Sequence, residues 1–145
     1  MDLSIRRLYV KNGIETLKSD SFILDTNIFI YYLNDRHEVE KFFTEEFILN
    51  NNLYYSIITE IELLSFPRLT EDESGVIREL LKKFLPISIT EDIKEKTIEI
   101  KRNTNIGIAD SIIAASSIVL DAALVTRDEP DFARVKEISL INPFS

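Results

Sequence analysis

The chain contains no cysteine, a single histidine, only three glycines and only four prolines in 145 residues. The absence of cysteine excludes disulfides, thiolate nucleophiles, iron–sulfur clusters and cysteine-based zinc sites. One histidine, His37, excludes any mechanism that needs two imidazoles. No apolar run approaches the roughly 18 residues that a membrane-spanning helix requires, and the start lacks the apolar core of a signal peptide. We therefore expect a cytoplasmic protein whose chemistry depends on carboxylates.

The charge balance is acidic, with 25 Asp and Glu against 17 Lys and Arg and a formal net charge of −8. The length and the 45% hydrophobic content are ordinary for one globular domain. A nucleic-acid partner normally calls for a basic face. Either the partner is not a nucleic acid, or some of the acids form a cluster that bound cations neutralise.

The apolar pattern alternates between short continuous runs and helical periodicity. Strands are predicted at residues 22–24, 53–57, 86–89, 124–126 and 138–141, with helices between them. One helix is expected over residues 39–50 and a nearly all-apolar one over 109–122. Thr70 and Glu73 form a capping box that opens another helix, whose apolar face is predicted to be Val76, Ile77, Leu80, Leu81 and Phe84. Short apolar strands separated by helices predict an α/β three-layer sandwich with a mainly parallel sheet of about five strands.

Four acids from four separated segments are expected to project toward one edge of the sheet. Asp25 comes directly after residues 22–24, Asp128 follows the fourth strand, Asp110 lies in the first turn of the apolar helix, and Glu62 follows the second strand. Each also has a plain structural interpretation: Asp25 as a helix cap, Asp110 as a partner of the helix dipole or of Lys101 or Arg102, Asp128 in a polar loop. Together, however, like charges at one sheet edge repel, and Mg²⁺ or Mn²⁺ would relieve that repulsion. The cluster is therefore typical of a phosphodiesterase site.

Two glutamates are candidates for the acid that follows the second predicted strand. Glu60 and Glu62 are two residues apart on a predicted helix and cannot face the same way. Thr59 and Glu62 are three apart and share a face. We therefore expect Glu62 to be the inward acid and Glu60 to be solvated, while a contribution from Glu60 or from Asp131 stays open.

Four segments resemble the motifs of PIN-domain proteins, and above all the VapC-type toxins. They are LDTNIFI at residues 24–30, SIIT at 56–59 followed by Glu62, ADSIIAA at 109–115 and LVTRD at 124–128. They occur in the family's order and spacing, and the resemblance covers roughly residues 22–141. It implies an Mg²⁺- or Mn²⁺-dependent endoribonuclease. Asp25 and Asp110 would be the main metal ligands, Glu62 and Asp128 would complete the site, and Asn27 and Thr126 would order it or contact substrate.

The resemblance also implies partners. VapC-like proteins usually form homodimers and are held inactive by a VapB-like antitoxin, whose tail often places an Arg or Lys in the acidic pocket. An RNA substrate requires a local basic surface. The candidates are Lys82, Lys83, Lys94, Lys96, Lys101, Arg102 and Arg127. The tyrosine pairs 31–32 and 54–55 could stack on bases, although we expect them in the core or at a dimer interface.

Two further points remain open at the sequence level. Residues 1–21 precede the motifs and are predicted to be an extension that packs on a nuclease domain of residues 22–145 through Ile5, Leu8, Val10, Ile14 and Leu17, or else to contact RNA or antitoxin. The alternatives to the ribonuclease are a catalytically silent PIN-fold binding module and a DNA-directed nuclease of the same fold. An aspartyl-phosphate phosphatase is disfavoured, because Asn27 stands where that chemistry wants a second acid.

Overall fold

The structure is a computed structural model that describes the backbone of residues 6–11 and 14–145 and the side chains from residue 20 onward. The strands are β1 Arg6–Lys11, β2 Ile14–Ser19, β3 Ser21–Leu24, β4 Asn52–Ser56, β5 Leu85–Ile87, β6 Ala123–Val125 and β7 Leu140–Ile141. The α-helices are α1 Thr26–Leu33, α2 Glu45–Asn50, α3 Ile57–Leu64, α4 Glu71–Leu81, α5 Glu91–Asn103, α6 Ile108–Val119 and α7 Glu129–Phe132. A 3-10 helix spans His37–Phe43.

Strands β3 to β7 form one wholly parallel sheet in the order β5-β4-β3-β6-β7. The chain moves outward from β3 to β4 and β5, and then returns to place β6 on the other side of β3. The strand order therefore reverses between β3 and β6. In open parallel sheets the crevice at such a reversal, beyond the carboxyl ends of the strands, is where ligands bind.

The core has two halves, one on each face of the sheet. Successive side chains of a strand point to opposite faces, and β3 divides accordingly. Phe22 and Leu24 pack on one side with α1, α3, α4 and the 3-10 helix, while Ile23 packs on the other with α5 and α6. The predicted three-layer α/β sandwich with five strands is therefore confirmed.

The local boundaries follow from capping side chains. Thr70 and Glu73 form the predicted capping box at α4, and the Thr90 hydroxyl caps α5. The helix expected over residues 39–50 is instead two pieces. Thr44 breaks it, since its backbone is extended and its hydroxyl accepts the Phe47 amide to begin α2. Val76 was predicted to be buried but is 58% exposed.

Strands β1 and β2 pair with each other in antiparallel register, from Arg6 opposite Ser19 to Lys11 opposite Ile14, as a separate two-stranded sheet. The predicted packing of the first 21 residues on the domain falls on side chains outside the described residues, so it stays a prediction. Within the part of the chain that the structure describes, no helix is long and apolar enough to cross a membrane.

Candidate active site at the carboxyl edge of the sheet

Asp25 lies at the junction of β3 and α1 and is almost fully buried, with 6% of its surface exposed. It is the N-cap of α1, and its Oδ1 accepts the Thr26 backbone N–H at 2.8 Å. Its Oδ2 accepts the Thr126 hydroxyl, also at 2.8 Å. One carboxylate oxygen is therefore fixed by the start of α1 and the other by the end of β6, and the capping role expected of Asp25 does not compete with a role in the site.

Thr126 joins the ends of β3 and β6. Its fully buried hydroxyl donates to Asp25 and accepts the Asp128 backbone N–H at 3.0 Å. The Asn27 amide approaches the same oxygen at 3.4 Å. The side chain of Thr126 thus orders one acid directly and the backbone leading to another.

Three carboxylates converge next to this junction. Asp110, Asp128 and Asp131 each offer one oxygen, and these oxygens all lie within 4.8 Å of one another. Asp110 lies in the first turn of α6, whose N-cap Gly107 supplies no capping side chain. The short helix α7 brings Asp131 back beside Asp128, three residues earlier in the chain.

The environment raises the pKa of three acids at this edge. Burial is the largest cause for Asp25, whose pKa rises from 3.8 to about 6; the charges of Asp110 and Glu62 contribute, while the hydrogen bonds from Thr126 and Thr26 oppose the rise. The pKa of Asp110 is raised by burial and by the charges of Asp128, Glu62 and Asp131. Burial and the neighbouring Asp131 raise the pKa of Asp128. The site thus concentrates negative charge that the protein itself does not neutralise.

Glu62 reaches the same edge from α3. Its Oε1 accepts the Thr26 hydroxyl at 2.7 Å, and Thr59 lies 2.9 Å from the same hydroxyl. Because Thr26 gives its only hydroxyl proton to Glu62, buried Thr59 must be the donor in the second bond. Glu62, expected to be the inward acid, is exposed, whereas Glu60, expected to be solvated, is half-buried. Burial, and to a smaller extent the charge of Glu60, raises the pKa of Tyr55.

Among the described residues, no Lys or Arg forms an ion pair with Asp25, Glu62, Asp110 or Asp128, and Asp131 has only a 4.0 Å contact with Arg134. Lys101 is not the partner of Asp110, because its Nζ donates to the Ile106 carbonyl at 2.7 Å.

The donor set fits a hard divalent cation. All the candidate ligand atoms are oxygens, and the three carboxylates of the trio lie close enough together to share one ion. The side-chain oxygen of Asn27 is also buried and has no hydrogen-bond partner among residues 20–145, so this edge offers one more free acceptor.

All six residues predicted for the site come from the carboxyl edge, but they do not form one uniform cluster. Asp110 and Asp128 lie in the close trio, while Asp25 and Glu62 lie beside it, held by Thr126 and Thr26. Asp131, left open by the sequence, completes the trio. The sequence did not lead us to predict Thr26 as a site residue, although its position directly after Asp25 could have indicated it.

Comparisons with known proteins identify the family and the fold. The sequence model of the PIN domain matches residues 22–138 of the chain. The chain belongs to the PIN-domain family. No curated protein sequence matches it significantly.

Solved structures show the same PIN fold. VapBC2 from Rickettsia felis, bound to a DNA fragment from its promoter, superposes with a TM-score of 0.74 at 25% identity, covering 83% of this chain and 97% of that one. A toxin–antitoxin complex from Klebsiella pneumoniae gives 0.70 at 25% identity, covering 85% and 98%. DNA-bound VapBC from Salmonella typhimurium gives 0.72 at 21% identity, covering 86% and 98%. The expected resemblance to VapC-type PIN proteins is confirmed.

Proposed function

We propose that this PIN-domain protein is a metal-dependent endoribonuclease and the toxin of a toxin–antitoxin pair. The observation that carries the proposal is the convergence of the Asp110, Asp128 and Asp131 carboxylates beside buried Asp25, where the 4.0 Å contact of Asp131 with Arg134 is the only ion pair that these acids form with described residues. A fold that assembles uncompensated charge at a ligand-binding edge does so at a cost in stability. Because the chain belongs to a family of nucleases, we attribute this loss of stability to a catalytic role of the acids.

The ion would be Mg²⁺ or Mn²⁺, since both prefer oxygen ligands. Asp25, Glu62, Asp110 and Asp128 would hold it, with Asp131 as a further ligand and Asn27 and Thr126 as ordering groups. When bound, such an ion activates water and neutralises charge that develops on a phosphoryl group.

The residues of the chain prepare the site for that ion. Thr126 and the Thr26 amide keep the Asp25 oxygens in one orientation. The Thr26 hydroxyl, itself held by Thr59, fixes the direction of Glu62. Because these acids are positioned before substrate arrives, little reorganisation is needed when the phosphodiester binds.

The proposed partners follow from the same charge. A cationic side chain of a VapB-like antitoxin would find acceptors at the carboxyl edge that the chain leaves unpaired. The neighbours from Rickettsia and Klebsiella are toxin–antitoxin assemblies, which supports such a partner. We further propose that the toxin is a homodimer and acts in the cytoplasm, where its RNA substrate is found.

The test is cleavage of a mixed cellular RNA pool by the purified chain, freed of any partner. Wild type is assayed with Mg²⁺, Mn²⁺ or EDTA, beside Asp25→Asn and Asp110→Asn. Glu91→Gln is the matched control, because Glu91 is an exposed acid of α5 that already pairs with Lys94. We expect metal-dependent products, a loss on the order of a hundredfold or more in both site variants, and no loss in the control.

Other outcomes would reject the proposal. If Asp25→Asn cleaves as fast as wild type, the site is assigned wrongly. A folded chain that binds Mn²⁺ but cleaves no RNA would favour a silent binding module. Cleavage of single-stranded DNA in place of RNA would favour the DNA-directed nuclease.

A further inference from the structure

Two arginines contact the same pair of aromatic rings near the candidate site. Tyr31 and Phe144 pack with their ring centroids 4.8 Å apart. The Arg127 guanidinium lies 4.2 Å from the Phe144 centroid and 5.2 Å from that of Tyr31. The Arg36 guanidinium lies 5.0 Å and 5.6 Å from the same two centroids. We call these four residues the arginine–aromatic stack.

The two arginines differ in how their charge is used. Arg36 is half-buried and donates two hydrogen bonds to Glu38, at 2.6 and 3.2 Å, so its charge is matched inside the chain. Arg127 is exposed and has neither an ion pair nor a hydrogen bond with a described residue. Its guanidinium lies over the Phe144 ring, and none of its N–H groups donates to a described residue.

Arg127 also stands at the rim of the acidic edge. It lies between Thr126, which bonds Asp25, and Asp128, one of the trio. Most of the other candidate cations are engaged elsewhere in the described chain: Lys82 with Glu79, Lys94 with Glu91, Lys96 with Glu99 and Glu137, and Lys101 with the Ile106 carbonyl. An exposed, unmatched cation next to an acidic site is what a polyanionic substrate needs if it is to approach a protein of net charge −8.

We propose that Arg127, oriented by Phe144 and Tyr31, binds a phosphate of the RNA substrate adjacent to the one that is cleaved. The inference rests on the proposed ribonuclease function and deepens it. Stacking on a ring holds the guanidinium plane in one orientation, and its N–H edge then offers the paired donors that match phosphate oxygens. Arg36, already bonded to Glu38, supports the rings and is a positioning residue.

The test separates binding from cleavage by using an Asp25→Asn background in Mg²⁺. Fluorescence anisotropy of a labelled single-stranded RNA of about 12 nucleotides is measured over a series of salt concentrations. Arg127→Ala is expected to weaken binding about tenfold and to reduce the slope of log K against log [salt] by about 0.7, the value for one lost phosphate contact on a single strand. A merely structural effect on the fold would leave that slope unchanged.

Two further variants examine the stack itself. Arg127→Lys keeps the charge but not the planar fork, so we expect the salt slope to be retained with an affinity loss of a few fold. Phe144→Leu removes the ring and is expected to lower affinity similarly. Arg78→Ala is the matched control: Arg78 is exposed on α4 and has no ion pair or ring contact with a described residue, yet its loss changes the net charge by the same amount.

The outcomes distinguish this inference from the proposed function. If wild type cleaves RNA but Arg127→Ala binds it with unchanged affinity and slope, the inference fails and the ribonuclease stands. If Arg127→Ala and Arg78→Ala weaken binding equally, only net charge matters and the inference fails. RNA binding that depends on Arg127, in a protein whose wild type cleaves nothing, would support the inference as a binding site while rejecting the nuclease. An Arg127→Ala variant that loses only an antitoxin would assign the stack to that partner and overturn the inference.

Discussion

The acids of this protein fall into two regions with opposite environments. On α4 and α5 they are exposed, and several pair with cations one turn away, as Glu79 does with Lys82 and Glu91 with Lys94. At the carboxyl edge of the sheet, Asp25 is buried, and no described lysine or arginine forms an ion pair with it or with Asp110. Burial raises the pKa at the edge, whereas hydrogen bonds to Thr70 at the start of α4 lower the pKa of Glu73.

The difference identifies the carboxyl edge as the region where the arrangement of acids lowers the stability of the fold. An acid on a helix surface is solvated or locally paired and changes the free energy of unfolding little. A buried acid without a cation lowers the free energy of unfolding by several kcal/mol at neutral pH, unless a bound ligand compensates its charge. Unmatched charge therefore marks the candidate site more reliably than the number of acids does.

The largest effect on stability is expected at the hydroxyl that connects the two strands. Thr126→Val keeps the shape of the side chain but removes the donor to Asp25 and the acceptor for the Asp128 amide. We expect a loss of about 3 kcal/mol in the free energy of unfolding at pH 7, since the Asp25 carboxylate and the partly buried Asp128 amide each lose a hydrogen-bond partner. Urea unfolding in EDTA measures it.

Thr70→Val is the control for Thr126→Val on the exposed side of the comparison. It removes a hydroxyl that caps α4, and such a change typically costs about 1 kcal/mol. Equal losses in the two variants would mean that the Thr126 hydroxyl contributes no more to the free energy of unfolding than an ordinary helix cap does.

A smaller effect, opposite in sign, is expected for Asp25→Asn. The pKa of Asp25 is about 6 in the folded chain against 3.8, so the folded state binds the proton more tightly than the unfolded state. Because of this difference in proton affinity, the free energy of unfolding falls as pH rises from about 4 to about 6. Above that range the total loss is about 3 kcal/mol. The amide cannot accept both hydrogen bonds, which offsets about 1 kcal/mol. The variant should therefore be about 2 kcal/mol more stable than wild type at pH 8.

Thermal unfolding in EDTA at several pH values tests the Asp25→Asn prediction. The stability gain should shrink as pH falls through 6 and vanish between about pH 5 and pH 4. Below pH 3.8, where wild-type Asp25 becomes protonated in both states, the variant should be about 1 kcal/mol less stable than wild type. A gain that does not depend on pH would contradict the raised pKa. Added Mn²⁺ should favour wild type, because the ion compensates the charge that the variant lacks.

The sequence predicted the sheet well because the relevant information is local. Residues 22–24 and 123–125 are continuous apolar runs followed by polar residues, and buried parallel strands require that pattern. The helix expected over residues 39–50 was wrong in its continuity. The apolar spacing of Phe42, Phe43 and Phe47 suits one helix, and only the capping bond of Thr44 reveals the break.

The candidate site could be predicted only in outline. The strand ends identify Asp25 and Asp128, because parallel strands bring their carboxyl ends to one edge. The closeness of Asp131 depends on the short helix α7, and the stack of Arg127 on Phe144 joins residues 17 positions apart. Neither contact leaves a periodic pattern in the sequence, since both arise when loops pack against the finished sheet.

The smallest effect should come from the exposed pair on α4. Glu79 and Lys82 are 2.8 Å apart, but their side chains are 73% and 71% exposed. A double-mutant cycle of Glu79→Ala and Lys82→Ala, measured by urea unfolding, should give a coupling energy of about 0.3 kcal/mol that disappears in high salt. Solvent screens both charges whether or not the two side chains form an ion pair, and holding two long side chains in one geometry costs conformational entropy. A coupling as large as the Thr126→Val loss would mean that pairing, and not burial, determines what an acid contributes to this fold, and the contrast between the two regions would fail.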